Sequence, residues 1–501
     1  MKTTICTAAQ ARLADKTAIH EHKIPSLILM EHAALGCTKI IQKHLQPGDQ
    51  ILILCGPGNN GGDGLAIARL LQRPCFVYAP KASSMSNDER IQWDMLEKNE
   101  QVHFSSFEET LSLMQNADMV IDALFGNGLS RNIEDNYKTL IDAVNASNAF
   151  VISIDINSGL DATTGKILNT CIISDLTICL DCIKTGQLIN DGKKVCSKLE
   201  CLSIGIPQTI HASLKTAILL DSEEAKQLLP RRSNDGHKGT FGKALMIGGS
   251  YAMHGAITMA ARACYQSGIG TLTCFVPNCI HDILAQKMEF AMLKNGDDID
   301  GYFSKDAAQK LSNEIGKYDI IAIGNGMGQL ESTKAMVQKA LQLSTCTLFD
   351  ADACWAIREH PELLRQDFSI ILTPHIKEMT YLCHRNLSEI LQDPFGTVQE
   401  FCTSYPNCTL VLKSDITLIG HKDQMYVLHQ PNSALAKGGS GDILCGIIAG
   451  LYGQCRNAFQ AAAIGTYIHS CCAKQKKDPA CFMPEDLIHQ IPSVFQSLRE
   501  G

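Results

Sequence analysis

Short runs of uninterrupted apolar residues, rich in Ile, Val and Leu and closed by polar or glycine-bearing turns, recur along the whole of this 501-residue chain. A strand without polar alternation is buried on both faces, and sheets of such strands are parallel, with helices packed above and below. The spacing predicts strands at Ile51–Cys55, Cys75–Tyr78, Met119–Asp122, Phe150–Ile156 and Leu176–Leu180, separated by helices such as Leu65–Leu71 and Tyr137–Asn145. The pattern resumes with Ala244–Ile247, Thr271–Phe275, Ile320–Ile323, Thr347–Phe349, Ile370–Leu372 and Thr409–Leu412. The fold class expected is α/β. At about 150 residues per domain the length predicts two or three domains. The stretch from Ile206 to Gly239, with Pro207, Pro230, Arg231, Arg232, Ser233, Asn234, Asp235 and Gly236, marks the boundary region and holds a short helix at Ser222–Leu229.

Charge narrows the function. Lys plus Arg number 44 against 52 Asp plus Glu, a net charge of −8 without a long basic run. That balance argues against nucleic acid as the main partner, although local loops still bind anionic small molecules. No segment approaches the roughly 20 apolar residues of a membrane span, and the first residues lack a secretory signal, so a soluble cytoplasmic protein is expected. The 22 cysteines are scattered, several inside predicted strands (Cys55, Cys75, Cys179, Cys274), and show no metal-ligand spacing. They are expected as reduced, buried thiols.

Strand Ile51–Cys55 runs into Gly56-Pro57-Gly58-Asn59-Asn60-Gly61-Gly62-Asp63-Gly64. Gly56, Gly58 and Gly61 formally match the dinucleotide fingerprint, but the next strand ends Tyr78-Ala79-Pro80-Lys81 without a carboxylate for a ribose hydroxyl. Five glycines, two Asn and one Asp exceed what a tight turn requires, and suit a polar ligand, a hard cation, or both. Two later strand ends open on the same crevice: Asp122 before Ala123-Leu124-Phe125-Gly126-Asn127-Gly128-Leu129, and Asp155 before Ile156-Asn157-Ser158-Gly159-Leu160-Asp161. A single strand-end Asp is usually a helix cap; two, each followed by a glycine turn, point to a site.

In this order and spacing, GPGNNGGDG, DALFGNGL and SIDINSGLDATTG resemble the NAD(P)H-hydrate epimerase domain, across roughly residues 1–210. Glu31, in Leu29-Met30-Glu31-His32-Ala33-Ala34, fits the motif of that family's preceding helix. The resemblance implies a Rossmann-like αβα sandwich over 1–212. It implies that Asn59, Asn60, Gly61, Gly62, Asp63, Gly126, Asn127, Gly128, Leu129, Ser130, Arg131 and Asn132 hold a hydrated dinucleotide. It further implies that Asn60, Asp122 and Ser158 ligate K⁺, and that Asp155 is the acid/base at the hydroxylated ring carbon with Lys184 near it. Asn157 stands where the family commonly has Pro, and takes the same turn.

In the second half, Lys437-Gly438-Gly439-Ser440-Gly441-Asp442 precedes a helix of small residues. No Lys-Ser/Thr follows the glycines, so this is not a P-loop. Glycines before a helix leave backbone N–H groups free for a transferring phosphoryl, and the helix dipole adds to that field. Asp442 is placed to accept the proton of an attacking hydroxyl, or to cap the helix. Further strand ends carry Gly324-Asn325-Gly326-Met327-Gly328, Asp350-Ala351-Asp352-Ala353, Thr373-Pro374-His375 and Lys413-Ser414-Asp415-Ile416-Thr417. With His237-Lys238-Gly239-Thr240-Phe241-Gly242, these motifs resemble the ribokinase-like NAD(P)H-hydrate dehydratase domain, over 215–501.

That second resemblance implies that Ala256, Gly326, His375 and Asp442 meet the hydrated dinucleotide. It implies that Lys413, Ser414, Asp415, Ile416, Thr417, Gly438, Gly439, Ser440 and Gly441 meet the phosphoryl donor, expected to be ADP with Mg²⁺. Ser414 replaces a usual Gly, and Lys287-Met288-Glu289 a Pro-Glu pair. The two halves together resemble fused bifunctional repair enzymes of bacteria and archaea, which implies NADH and NADPH hydrates as substrates. One half would interconvert the R and S hydrates. The other would dehydrate the S form, with ADP giving AMP, in a homo-oligomeric protein. A small-molecule kinase for the second half, and a non-catalytic binding scaffold for the first, are the alternatives.

Overall fold

The computed structural model describes residues 2–80, 85–311, 316–343, 345–474 and 478–500. The chain divides into two compact units, 1–218 and 219–501. The first is built on a seven-stranded sheet. Its strands, Ile51–Cys55, Cys75–Tyr78, Val102–Phe104, Met119–Ala123, Phe150–Ile154, Leu176–Leu180 and Leu199–Leu202, all pair in parallel. Numbered in chain order they lie 3-2-1-4-5-6-7. All five residues of Ile51–Cys55 are buried, as a strand covered on both faces requires. Ile53 belongs to an apolar cluster on one face and Leu52 and Leu54 to a cluster on the other. The order breaks between Ile51–Cys55 and Met119–Ala123, and a crevice opens at such a break beyond the carboxyl ends of the strands.

Three short strands extend this unit: Thr4–Cys6 pairs in parallel with Cys182–Lys184 and antiparallel with Ala217–Leu219. Phe150–Ile154 ends two residues earlier than expected, because Asp155 turns to φ 68°. The helix expected at Leu65–Leu71 begins at Asn59, so most of the glycine-rich segment is its first two turns. The glycines let the helix lie close on the sheet. A Cβ at Gly64 would stand 2.7 Å from Cys55 Sγ and 2.8 Å from Ala123 Cβ.

The second unit repeats the plan. Strands Lys243–Ile247, Thr271–Pro277, Met292–Gly296, Ile320–Ile323, Cys346–Phe349, Ser369–Leu372 and Cys408–Leu412 lie 3-2-1-4-5-6-7, all parallel. The antiparallel strands Thr417–His421 and Gln424–Leu428 follow at the edge. The order again breaks beside the first strand, between Lys243–Ile247 and Ile320–Ile323. Helix Ser440–Cys455 packs on His254–Gln266 through glycine. A Cβ on Gly446 would stand 2.1 Å from Ala260 O, and one on Gly450 2.5 Å from Cys264 O. All 22 cysteines are free thiols, most of them buried. No helix among the described residues is long and apolar enough to cross a membrane.

Candidate active sites

At the break in the first sheet lies a cavity of about 590 Å³. Asn59, Asn60, Asp63, Gly126, Asn127, Gly128, Leu129, Ser130, Arg131 and Asp155 line it, with Lys184 and Asp15. Of the other residues expected there, Asn132 is exposed beyond the wall. Gly61 and Gly62 lie beneath it: a Cβ on the first would stand 1.8 Å from Gly56 O, and one on the second 2.6 Å from Met30 Cε. Gly58, at φ 114°, caps the helix, and its N–H donates to Glu89 Oε2 at 2.8 Å, which fixes the loop. Glu31 is held in an ion pair with Arg69 at 2.5 Å. Tyr78 closes its strand without a carboxylate, and Lys81 lies outside the described residues.

Asp155 and Lys184 form a buried ion pair. Burial disfavours the Lys184 ammonium, but Asp155 and two neighbouring thiols outweigh it and push its pKa well up. The ammonium also donates to Leu180 O at 3.1 Å and Cys182 O at 3.0 Å. The Asp155 backbone sits in the left-handed region, held by its N–H to Ile178 O at 2.8 Å and by Gln187 Nε2 to its carbonyl at 3.2 Å. That conformation costs a non-glycine residue about 1–3 kcal/mol, and these two bonds hold Asp155 in it. Burial, then Asp155 and Asp15, push the Asp63 carboxyl well above the usual carboxylate range.

Beneath the two turns, Asp122 is fully buried. It accepts from Ser158 Oγ at 2.5 Å, Ser158 N at 2.9 Å, Ser153 Oγ at 2.8 Å and Leu124 N at 3.2 Å. It lies within its strand and caps no helix. Asn60 has both amide atoms buried and without a hydrogen-bond partner, and a Cβ on Gly126 would stand 3.3 Å from its Cβ and 3.5 Å from Asp155 Oδ2. Two such orphaned atoms beside a buried carboxylate are the donor set of a hard cation or a polar ligand. Asn157 Nδ2 shares its two N–H groups among Ile172 O, Ser174 Oγ and Val195 O at 3.0, 2.9 and 2.8 Å, and Oδ1 accepts from Thr177 Oγ1 at 2.6 Å. It ties three loops together, a larger part than the turn it replaces.

In the second unit a cavity of about 720 Å³ is walled by His375, Lys413, Ser414, Asp415, Thr417, Ser440, Gly441 and His469, among others. Ile416 is buried behind the wall, and Gly438 and Gly439 lie outside the lining. Ser414 Oγ donates to Ile416 O, which closes the turn. Gly439, at φ 94°, is the cap of helix Ser440–Cys455, so Asp442 falls in its first turn without capping it. The first-turn N–H groups, which have no intrahelical partner, and the positive end of the helix border the cavity at Ser440 and Gly441. His375 is itself the cap of helix Ile376–Met379, its Nδ1 accepting from Glu378 N at 3.1 Å.

Asp442 joins a buried polar chain. Asn325 Nδ2 donates to Asp442 Oδ1 at 2.8 Å and to Asp350 Oδ2 at 3.0 Å; Asp350 Oδ1 accepts from Thr373 Oγ1 at 2.7 Å and pairs with Lys413 Nζ at 3.1 Å. Burial first, then Asp350, push the Asp442 carboxyl up to about 6. Lys413 keeps its charge because Asp350 and Glu378 outweigh its desolvation. Its Nζ would stand 3.4 Å from a Cβ on Gly441, so ammonium and anion-binding turn face each other. Gly326, at φ 66°, meets the start of helix His254–Gln266, where its Cβ would lie 3.0 Å from Ala256 Cβ.

The bifunctional NAD(P)H-hydrate repair enzyme of Moorella thermoacetica is 32% identical to this chain over 99% of its length and 97% of the relative's. The chain belongs to the family of bifunctional NAD(P)H-hydrate repair enzymes. The family member of Coxiella burnetii is 31% identical, over 92% of each chain. Residues 244–493 match the NAD(P)H-hydrate dehydratase family, and 26–186 the family described as YjeF-related protein N-terminus. A ribokinase-like superfamily protein from Enterococcus faecalis superposes with a TM-score of 0.50 at 24% identity, over 56% of this chain and 96% of its own, and shares the fold.

Within this repair-enzyme framework no sequence motif singles out Asp15, Asp181, Asn325, Asp350 or His469 for a role of its own. Asn325 and Asp350 stand inside motifs already recognised, GNGMG and DADA. His469 lies mid-helix, where burial lowers its pKa to about 4 and its Nε2 lies 3.1 Å from Ser440 Oγ. No short-range pattern marks it.

Proposed function

We propose that the chain restores hydrated NADH and NADPH, with an epimerase domain over residues 1–212 and an ADP-dependent dehydratase domain over 215–501. The setting of Asp442 carries the proposal: a carboxylate in the first turn of a glycine-capped helix, turned to Asn325 and flanking a cavity walled by Lys413 and Gly441. With its pKa near 6 it is ionised at neutral pH, yet a stronger base than an exposed Asp.

In this mechanism Asp442 takes the proton of the ring hydroxyl, whose oxygen attacks the terminal phosphoryl of ADP. The phosphoanhydride bond breaks and AMP leaves. The Gly438–Gly441 turn and the helix dipole stabilise the charge on the phosphoryl oxygens, and Lys413 adds a cation. Phosphate leaves far more readily than hydroxide, so cleavage of the ring C–O bond with loss of the neighbouring C–H proton restores the dihydropyridine. Mg²⁺ would neutralise the donor's phosphates; among the described residues no group of three His, Cys, Asp or Glu could hold a metal alone, which suits an ion carried on phosphate oxygens.

In the first unit, Asn59, Asp63 and the Gly126–Arg131 turn would hold the hydrate, and Asp155 would exchange its protons. The orphaned amide of Asn60, with Asp122 and Ser158, fits K⁺, which when bound would add positive charge beneath the turns. The proposal extends to a cytoplasmic homo-oligomer.

The test is absorbance at 340 nm on mixed hydrate epimers with Mg²⁺, K⁺ and either ADP or ATP. Full recovery with ADP is expected. Recovery that stalls after one epimer would leave the first unit without epimerase activity. A stable phosphorylated product without recovery would make the second unit a small-molecule kinase.

A further inference from the structure

Among the described residues, the carboxylate of Asp15 has no hydrogen-bond partner, although its neighbours fix its direction. It stands on helix Ala8–His20, which follows strand Thr4–Cys6, and that strand pairs Cys6 with Lys184. Ala11, Asp15 and Ile19, four apart on one helix face, and Arg12 beside them all line the 590 Å³ cavity. Arg12 Nη1 donates to Asn127 O at 3.1 Å, so this face closes over the second glycine turn. Asp15 and the Asp155–Lys184 pair thus reach one cavity from two elements, a helix face and a strand end.

The chemistry of epimerisation asks for two such groups. Water adds to an enamine with its hydroxyl on the carbon next to nitrogen, so the stereocentre to be inverted carries both O and N. Inversion needs one group to protonate the departing hydroxyl and another to take a proton from the water that returns. A single carboxylate serves one of these at a time.

We propose that Asp15 is the second acid/base of the epimerase site, a role that rests on the function proposed above. Protonated Asp15 gives its proton to the ring hydroxyl; the C–O bond breaks, water departs and the nitrogen lone pair forms C=N⁺. Water adds to the opposite face and yields its proton to the Asp155 carboxylate. The reverse epimer uses the two carboxyls in exchanged roles, and solvent resets their protons. Burial and the charge of Asp155, against Lys184, push the Asp15 carboxyl up to about 6. Asp63, Asp181 and Asp88 also line this cavity, with Arg12 and Arg131 on its rim and His211 bonded to Asp181 at 2.6 Å behind it.

The test is Asp15→Asn in the full chain, following interconversion of the R and S hydrates above the spontaneous rate. The expected result is a kcat lower by about 10²- to 10⁴-fold with KM little changed, and loss of the decline toward alkaline pH that protonated Asp15 imposes. The melting transition of the first unit, unchanged from the wild-type chain, reports its folding. Unchanged kcat, or a raised KM alone, would overturn the assignment. If Asp15→Asn fails to fold, Asp15→Glu decides: a displaced alkaline limb supports the role and an unmoved one rejects it. A wild-type chain without epimerisation would instead remove the parent proposal.

Discussion

Both units lay out their parallel strands in the order 3-2-1-4-5-6-7 and open a crevice where that order breaks, yet they hold their central carboxylates differently. Asp155 leaves a strand end in left-handed backbone and faces a buried ammonium. Asp442 sits in regular helix and faces the amide of Asn325, with the cation Lys413 two residues further along the chain of contacts, beyond Asp350. The ion pair keeps Lys184 charged beside Asp155. At Asp442 burial is opposed only in part by a neutral amide, and the carboxyl is raised to about 6. One architecture thus supplies two electrostatic settings, and the setting, not the fold, divides the chemistry.

The sharpest break in that comparison is Asp442→Ala. Dehydration should fall by about 10²–10⁴-fold while interconversion of epimers, measured without nucleotide, stays normal. Loss of both would end the division of labour. Asp155→Asn should remove epimerisation and leave Lys184 charged and unpaired in the interior, at a cost of about 3–5 kcal/mol visible as a lower melting temperature; full epimerisation in this variant would end the acid/base role. Asn157→Pro, toward the family's usual residue, loses the amide that the three acceptors share and should destabilise the first unit by about 1–3 kcal/mol in denaturant titration. The smallest effect concerns pH. A base with its pKa near 6 makes dehydration rise as pH passes upward through that value. Asn325→Ala removes a bond to the ionised form, so this acidic limb should move to higher pH in kcat profiles.

The eleven strands read from the sequence were legible to within one or two residues because a parallel strand covered on both faces is apolar throughout; the partly exposed outer strands Val102–Phe104, Leu199–Leu202 and Met292–Gly296 were not. The helix start at Asn59 was not, since glycines demanded by packing against Cys55 and Ala123 look like loop glycines. Thr4–Cys6 has three residues, too few for a pattern, and the antiparallel strand Thr417–His421 mixes polar with apolar. Motif residues such as Asn60, Asp155, Lys413 and Asp442 announced themselves by standing at strand ends or glycine turns. Asp15 and His469 stand inside helices, where one polar residue carries no signal until the tertiary fold shows which cavity it faces.

Helix Ser440–Cys455 touches its neighbour through Gly446 and Gly450, each against backbone. Evolution has little freedom along that stretch, because any added side chain displaces the turn that holds Asp442 and is felt by selection on folding and on activity together. At the turn itself the two pressures separate, since Asp442 fills no part of the core. A lineage released from the need to dehydrate would keep the glycines and shed the carboxylate. Its descendants would be well-folded α/β shells, open to other ligands.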